Sequence, residues 1–340
     1  MLKREFQIAG KRVGGGAPVY VIAEAGSNHD QSLDKARRLI DVAAQAKCDA
    51  VKFQLFDSDA LYSRDHPNYA LFKSVELSPD WLAPLKTHVE SHGLAFFASV
   101  FDHRSADRME AVGVPAYKIA SSETTKLDLL AHIAAKGKPL LLSTGMCDLV
   151  DVMEAVACCD RNGNDAVALM QCTAVYPVQP GDANLAVMDV FRSYFKCPVG
   201  YSDHVLGTTI AVAAAARNAD VIEKHITLDR TSPGPDHFYA IEPQELVEMV
   251  RQLREVEAAI GTGIKDLHPE ERRLGRRYGL YAARDIAAGE RIVADAIAVR
   301  QPAVGIRARH RDHVIELVSR RRIPANEPIY WEYLSVPSEV

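Results

Sequence analysis

Short apolar runs alternate with amphipathic stretches along most of the chain. The runs cover residues 19–25, 50–54, 95–98, 116–120, 139–143, 166–171, 198–201 and 221–226. Each is too short for a helix, so each reads as a buried strand. Between them, residues 33–46, 79–92, 105–112, 126–135, 148–159, 185–194 and 208–217 show helical spacing. The last such stretch, 243–260, puts Leu246, Val247, Val250, Leu253, Val256 and Ile260 on one stripe. Pro79 after Ser78 and Pro243 after Glu242 mark helix starts, where a missing N–H costs nothing; Gly113 and Gly137 mark helix ends. Strand then helix, eight times over, predicts an α/β fold with a parallel sheet closed into a (β/α)8 TIM barrel. The alternative is an open doubly wound sheet, but no Gly-x-Gly-x-x-Gly follows the first strand. Gly14-Gly15-Gly16 precedes that strand and reads as the loop joining a lead-in hairpin over residues 6–13 to the barrel.

The pattern changes after Gly261-Thr262-Gly263. Residues 265–278 are charged and read as a linker between a barrel domain over 1–264 and a small β-rich domain over 279–340. Within the latter, residues 284–292 and 321–329 both read Arg-x-Ile-x-Ala-(Gly/Asn)-Glu-x-Ile, an internal duplication. Gly289 and Asn326 occupy the position that tolerates positive φ. About 60 residues bury little core, so this module is expected to pack on another surface.

A length of 340 residues with 48% hydrophobic and 25% charged residues is globular, which excludes wholesale disorder. A net charge of −5 argues against a nucleic-acid partner. No apolar run is long enough to span a membrane, and Met1-Leu2-Lys3-Arg4-Glu5-Phe6 lacks the apolar stretch of a secretory signal. Six cysteines are too sparse for a disulfide scaffold, so a reduced, cytoplasmic protein is expected.

Barrel chemistry sits where strands end. Here all eight expected ends are polar: Glu24; Lys52 and Gln54; Ser99; Lys118 with Ser121-Ser122-Glu123; Ser143; Gln171 to Tyr176; Ser202 and His204; and Glu223-Lys224-His225. A lone strand-end histidine is more often a core residue, but two on adjacent strands beside a glutamate suit Mn2+, Zn2+ or Fe2+. No third histidine completes a closed zinc site. Lys52 and Lys118 face inward among Ser99, Ser121, Ser143 and Ser202, which suits a small polyanion. A strand lysine could instead simply pair with Glu24 or Glu123, but burying two ammonium groups is costly unless an anion arrives. Met146, Met153, Phe96 and Phe97 read as packing residues, and His66, His88, His92 and His132 as helix or loop residues without a catalytic role.

Several segments together resemble the sialic acid synthases: residues 21–29 (VIAEAGSNH), 50–54 (AVKFQ), 115–121 (PAYKIAS), 142–146 (LSTGM), 200–204 (GYSDH), 221–229 (VIEKHITLD) and 234–237 (GPDH). The duplicated module resembles the antifreeze-like SAF domain that follows such barrels. The resemblance implies condensation of phosphoenolpyruvate with an open-chain N-acylhexosamine, such as N-acetylmannosamine, to give a nine-carbon 3-deoxy-2-ulosonic acid and phosphate. It implies a divalent ion, Mn2+ first with Mg2+ or Co2+ as alternatives, on His204 and His225. Lys52, Ser99, Lys118, Ser121, Ser143 and Ser202 would hold phosphoenolpyruvate; Glu24, Gln54, Tyr176 and Asp236 would address the sugar or the reacting centre, with Glu123 nearby. It further implies a domain-swapped homodimer in which each SAF module covers its partner's barrel mouth.

Three departures bear on the sugar. Ala174 stands where such synthases carry Ser or Asn, Ser122 where they carry Gly, and Arg300-Gln301-Pro302 where an Arg-Pro pair reaches the partner's N-acyl group. Ungapped, Gln301 takes the arginine's place; a shift of one restores Arg300. Mannose or a 6-phosphorylated sugar is therefore an alternative substrate. Two further readings are a Schiff-base aldolase using Lys118 or Lys224, and a non-catalytic carbohydrate-binding barrel.

Overall fold

The computed structural model describes residues 1–337. The chain forms two compact units, Met1–Gly261 and a second beginning at Thr262. The first opens with an antiparallel hairpin of β1 (Glu5–Ile8) and β2 (Lys11–Gly14). Eight parallel strands follow: β3 (Tyr20–Gly26), β4 (Ala50–Leu55), β5 (Ala95–Val100), β6 (Tyr117–Ile119), β7 (Leu140–Ser143), β8 (Val167–Cys172), β9 (Val199–Asp203) and β10 (Val221–His225). They close in chain order, with β10 bonded to β3 from Val221 opposite Tyr20 to His225 opposite Glu24. The alternation thus yields a barrel, not an open sheet.

The helices are α1 (Leu33–Gln45), α2 (Ser58–Leu61), α3 (Tyr69–Val75), α4 (Leu82–Ser91), α5 (His103–Ala111), α6 (Leu127–Ala134), α7 (Leu149–Arg161), α8 (Val187–Phe195), α9 (Thr209–Ala216) and α10 (Pro243–Ile260). Local capping fixes several starts. Ser32 accepts from the Lys35 N–H, Asp102 from the Ser105 N–H, and Asp148–Asp151 and Glu242–Glu245 form reciprocal boxes. Pro79 opens a 3-10 turn, Pro79–Trp81, and the α-helix proper begins at Leu82. The short α2 and α3 have no counterpart in the sequence pattern. No residue of α3 is fully buried, so no apolar stripe marks it.

All residues of β3, β5, β7, β8, β9 and β10 are buried, as expected of strands between a filled lumen and a helical layer. Gly200 shows how tight this is. A Cβ there would stand 2.5 Å from Met170 Sδ on β8 and 2.6 Å from the Val221 carbonyl oxygen on β10.

The second unit has a separate core built on Leu280, Ile286, Ile292, Ile306, Ile323 and Ile329. β11 (Gly279–Ala282) pairs with β12 (Ile297–Arg300), and β13 (Val318–Ser319) with β14 (Leu334–Ser335). The duplication is visible in three dimensions. Ile286 and Ile323 exchange N–H···O=C bonds, both 2.9 Å long. Arg284–Glu290 and Arg321–Glu327 form matching ion pairs at 2.6 Å, and Gly289 and Asn326 both take positive φ, +82° and +69°. The charged stretch 265–278 is not a featureless linker. It carries α11 (Pro269–Leu274), started by Pro269 and a His268–Glu271 box. Among the described residues no helix is long and apolar enough to cross a membrane.

Gly200→Ala is expected to destabilise the barrel by about 1–3 kcal/mol, because backbone and side chain must both move to admit one methyl group. Chemical denaturation tests this, and an unchanged midpoint would show that β8 and β10 yield freely at this point.

Candidate active site

The C-terminal ends of the barrel strands surround a cavity of about 540 Å³. The period of two along each strand decides what faces it. On β4, Lys52 and Gln54 both line the cavity; on β10, Glu223 and His225 do, while Lys224 between them points the other way. Lys224 Nζ instead lies 2.7 Å from Asp203 Oδ2 in a buried pair between adjacent strands. Lys224 is thereby removed as a Schiff-base candidate.

Strand register brings four charges together. Lys52 Nζ is 2.9 Å from Glu24 Oε2 and 3.5 Å from Glu223 Oε1, and Lys118 Nζ is 3.7 Å from the same Glu223 oxygen. All four residues are buried. Lys52 donates to Ser99 Oγ at 2.8 Å, Lys118 to Ser143 Oγ at 2.6 Å, Ser202 Oγ to Glu223 Oε1 at 3.1 Å, and Gln54 Nε2 to Glu24 Oε1 at 3.1 Å. The two ammonium groups therefore do not wait bare for an anion; carboxylates from β3 and β10 already balance them. Burial lifts the Glu24 carboxyl above the usual carboxylate range, outweighing Lys52. Burial acts on Glu223 too, but Lys118 and Lys52 together hold its pKa below that range. Burial lowers the Lys118 ammonium.

Across the cavity stand His204 and His225, ring centroids 5.5 Å apart. Burial depresses both, to about 3 and about 4, so both rings are neutral with lone pairs free for a metal. The His204 Nδ1–H donates to the Thr173 carbonyl at 3.0 Å, leaving Nε2 as the ligand atom. Asp236 Oδ2 accepts from Ser27 Oγ at 2.7 Å and its Oδ1 from the Tyr239 hydroxyl at 2.9 Å. Gly26, at φ +51°, permits this approach, since a Cβ there would lie 2.9 Å from Asp236 Oδ2 and 3.5 Å from His225 Cε1. Two neutral imidazoles beside carboxylates are a mixed nitrogen and oxygen donor set that fits a first-row divalent ion such as Mn2+.

The segment bearing Asp236 is tied down from behind. Thr227 Oγ1 and His237 Nδ1 are 2.7 Å apart, His237 Nε2 donates to Asp30 Oδ1 at 2.8 Å, and Lys35 donates to Asp30 Oδ2 at 2.7 Å. On the β6 side, Ser121, Ser122 and Glu123 line the cavity, and the Ser122 hydroxyl donates to Glu123 Oε2 at 2.6 Å. Ala174 packs against Gly145, where a Cβ would meet it at 3.0 Å. Tyr176, half exposed, lies against His204 with ring centroids 4.3 Å apart and planes tilted by 43°.

Every barrel residue that the resemblance assigned to the site thus lines one cavity, whereas Lys224 and the strand-end Gln171 do not. Arg300 belongs to the second unit, at the end of β12, hydrogen-bonded to Asn326; Gln301 donates to the Arg276 carbonyl at 2.9 Å. Met146 and Met153 do not pack inside. They are 73% and 50% exposed: the turn at Met146, with φ +60°, presents its side chain at the cavity rim, and Met153 lies on an outward face of α7. Among the cavity residues that the resemblance does not assign are Glu223 and Tyr239. Glu223 was legible, two residues before His225 and so on the same face. Tyr239 sits on a 3-10 turn that no strand periodicity reaches; its hydroxyl lies 3.4 Å from His225 Nδ1.

Comparison with known proteins agrees with this geometry. The profile of the NeuB family matches residues 39–265 and that of the SAF domain residues 277–335. The chain is 38% identical to the N-acetylneuraminate-9-phosphate synthase of Homo sapiens over 284 residues, covering 79% of each chain. It is 33% identical to the N,N'-diacetyllegionaminic acid synthase of Legionella pneumophila over 336 residues, covering 93% of this chain and 94% of the other. A crystal structure of the N-acetylneuraminic acid (sialic acid) synthetase of Leptospira borgpetersenii, in complex with citrate, superposes with a TM-score of 0.76 at 33% identity, covering 80% of this chain and 95% of that one.

The raised Glu24 pKa has a stability consequence. Its contribution is fully present below the unfolded value near 4.5 and is lost as pH rises through the higher folded value. Denaturation of the metal-free protein between pH 5 and pH 8 should therefore show a fall in stability on the order of 1 kcal/mol that Glu24→Gln removes. Parallel curves for the two proteins would refute the shift.

Proposed function

This chain belongs to the NeuB family of nonulosonic acid synthases, and from that premise we propose that it condenses phosphoenolpyruvate with an open-chain N-acylhexosamine and water, releasing phosphate. The supporting observation is the convergence of two buried lysines, two buried carboxylates and two neutral imidazoles on one cavity at the strand ends. In this reading Lys52, Lys118 and the hydroxyls of Ser99, Ser121, Ser143 and Ser202 hold the phosphate and carboxylate of phosphoenolpyruvate. His204 and His225 would hold the divalent ion, Mn2+ first, which when bound supplies Lewis acidity toward the sugar carbonyl oxygen. Asp236, fixed by Ser27 and Tyr239, and Tyr176 orient the sugar hydroxyls, with Gln54 and Glu123 on the opposite wall.

The electron pair of the phosphoenolpyruvate double bond forms the new C–C bond from carbon three to the aldehyde carbon, while the carbonyl π pair moves to the sugar oxygen, which takes a proton and becomes a hydroxyl. Positive charge then develops at carbon two, where the Glu24 and Glu223 carboxylates oppose it. Water adds to carbon two, its proton passing to Glu24, whose raised pKa suits it as a base. The C–O bond to phosphate then breaks as the carbon-two hydroxyl gives its proton to the departing phosphate, and the nine-carbon 2-keto acid remains.

Arg300 is assigned to the partner's sugar site in a domain-swapped homodimer. Exposed apolar side chains on the barrel, Met146, Val150, Met153 and Tyr194, support a second copy as their cover. Six unpaired cysteines suit a reducing cytoplasm. One observation favours a second reading. Burial lowers the Lys118 pKa, which is what an amine nucleophile would need.

Phosphate release from phosphoenolpyruvate should require a sugar, stop with EDTA and resume with Mn2+. Product mass from N-acetylmannosamine, its 6-phosphate, mannose and di-N-acylated deoxyhexoses identifies the substrate, and borohydride trapping of pyruvate on Lys118 would favour the aldolase instead. Glu24→Gln should lower kcat about 10²-fold or more. Mixing Glu24→Gln with Arg300→Ala protein should restore about a quarter of wild-type activity if subunits swap modules. No restoration after confirmed exchange would remove the swap.

A further inference from the structure

We propose that Asp41, His88 and His92 form a second transition-metal site, on the helical layer outside the barrel, that takes Zn2+ or a similar divalent ion. His88 lies in the last turn of α4 and His92 is the residue that caps it, so their imidazoles share one face. Both aim their Nε2 at a single oxygen of Asp41 on α1, at 2.8 and 3.1 Å, and the three atoms lie within 4.8 Å of one another. The rings stand nearly perpendicular, 80° apart with centroids 5.0 Å apart, so they do not stack on each other.

Convergence on one point separates this cluster from an ordinary surface ion pair. A carboxylate bridging two imidazoles by hydrogen bonds alone has two oxygens to offer, yet both rings address Oδ1. Ligands at about 2.0–2.1 Å from a tetrahedral ion lie about 3.3 Å from each other. The two histidine–carboxylate distances of 2.8 and 3.1 Å need only a few tenths of an ångström of spreading to admit one, and the two imidazole nitrogens lie within 4.8 Å of each other. Among the described residues Asp41 has no lysine or arginine partner that would have to be displaced. The three side chains are 29%, 35% and 41% exposed, enough to leave water a fourth position. The C-terminal end of α4 adds a partial negative charge that favours a cation there.

None of the three residues lines the barrel cavity, so this site does not depend on the chemistry proposed there. Its effect would be mechanical. An ion shared by α1 and α4 clamps the two helices on either side of β4, the strand that carries Lys52 and Gln54.

The test is a Zn2+ titration of the full-length protein after chelator treatment, by calorimetry and by Tm. His88→Ala/His92→Ala protein should bind one ion fewer per chain than wild type. Asp41→Asn should weaken that binding event about tenfold or more. In a His204→Ala/His225→Ala background, Zn2+ should still bind and raise Tm, and adding His88→Ala/His92→Ala should abolish both effects. Co2+ should give the intense visible absorption of tetrahedral coordination, again only with His88 and His92 present. Equal stoichiometry in wild type and His88→Ala/His92→Ala would overturn the proposal. So would a Co2+ spectrum indifferent to these substitutions.

Discussion

Lys52 and Lys118 can be buried in the lumen because Glu24 and Glu223 reach them from neighbouring and facing strands. An uncompensated buried charge costs several kcal/mol, and removing one partner from such a set typically costs about 3–5 kcal/mol. Much of the barrel can be read as the means of keeping these four groups in range. β10 must close against β3 to bring Glu223 beside Glu24, and β4 must hold a register that turns Lys52 inward. A slip of one residue on β10 would replace Glu223 by Lys224 at the lumen and leave three cations facing one carboxylate. Balance within the quartet also means that an arriving anion competes with resident carboxylates, so binding and pKa values are linked through the same oxygen atoms.

In the proposed reaction, this divides the site into a rigid floor and an adjustable rim. The floor is built on strands buried on both faces. The rim is built on connections: the turn at Met146, the segment carrying Asp236 and Tyr239, and the short helices α2 and α3. The chain from Thr227 through His237 and Asp30 to Lys35 gives one part of that rim a second anchorage. Ala174 and Ser122 lie on the opposite rim, where a change of side chain alters the space for a sugar without touching the charged floor.

What the sequence disclosed and what it hid divide along physical lines. Strands and long helices carry local periodicity, and the eight-fold alternation with polar strand ends was enough to place Glu24, Lys52, Gln54, Lys118 and His225 around one mouth. Asp236 sits on a loop, where no period exists, and was reached only through resemblance, which also supplied the role of Tyr176 just beyond β8. Glu24 was already an alternative partner for a strand lysine, but the part of Glu223, which reaches both Lys52 and Lys118, was missed because β10 is distant from them in sequence. Met146 was misplaced because hydrophobicity says nothing of a turn that forces a side chain outward. The helix at Pro269–Leu274 was hidden by its charge, since a short capped helix needs no apolar stripe.

The small module reads differently once its repeats are superposed. The reciprocal bonds of Ile286 and Ile323 are the contacts of an isologous interface, in which each half offers the other the same groups, while each half closes its own Arg–Glu clasp. In effect the module is a two-fold dimer fused into a single polypeptide. Its halves can therefore diverge: one copy keeps the turn at Gly289, the other substitutes Asn326, and either can acquire side chains its twin lacks. Fusion relieved each half of having to serve two places at once, which leaves Arg300 free of any symmetry-bound counterpart.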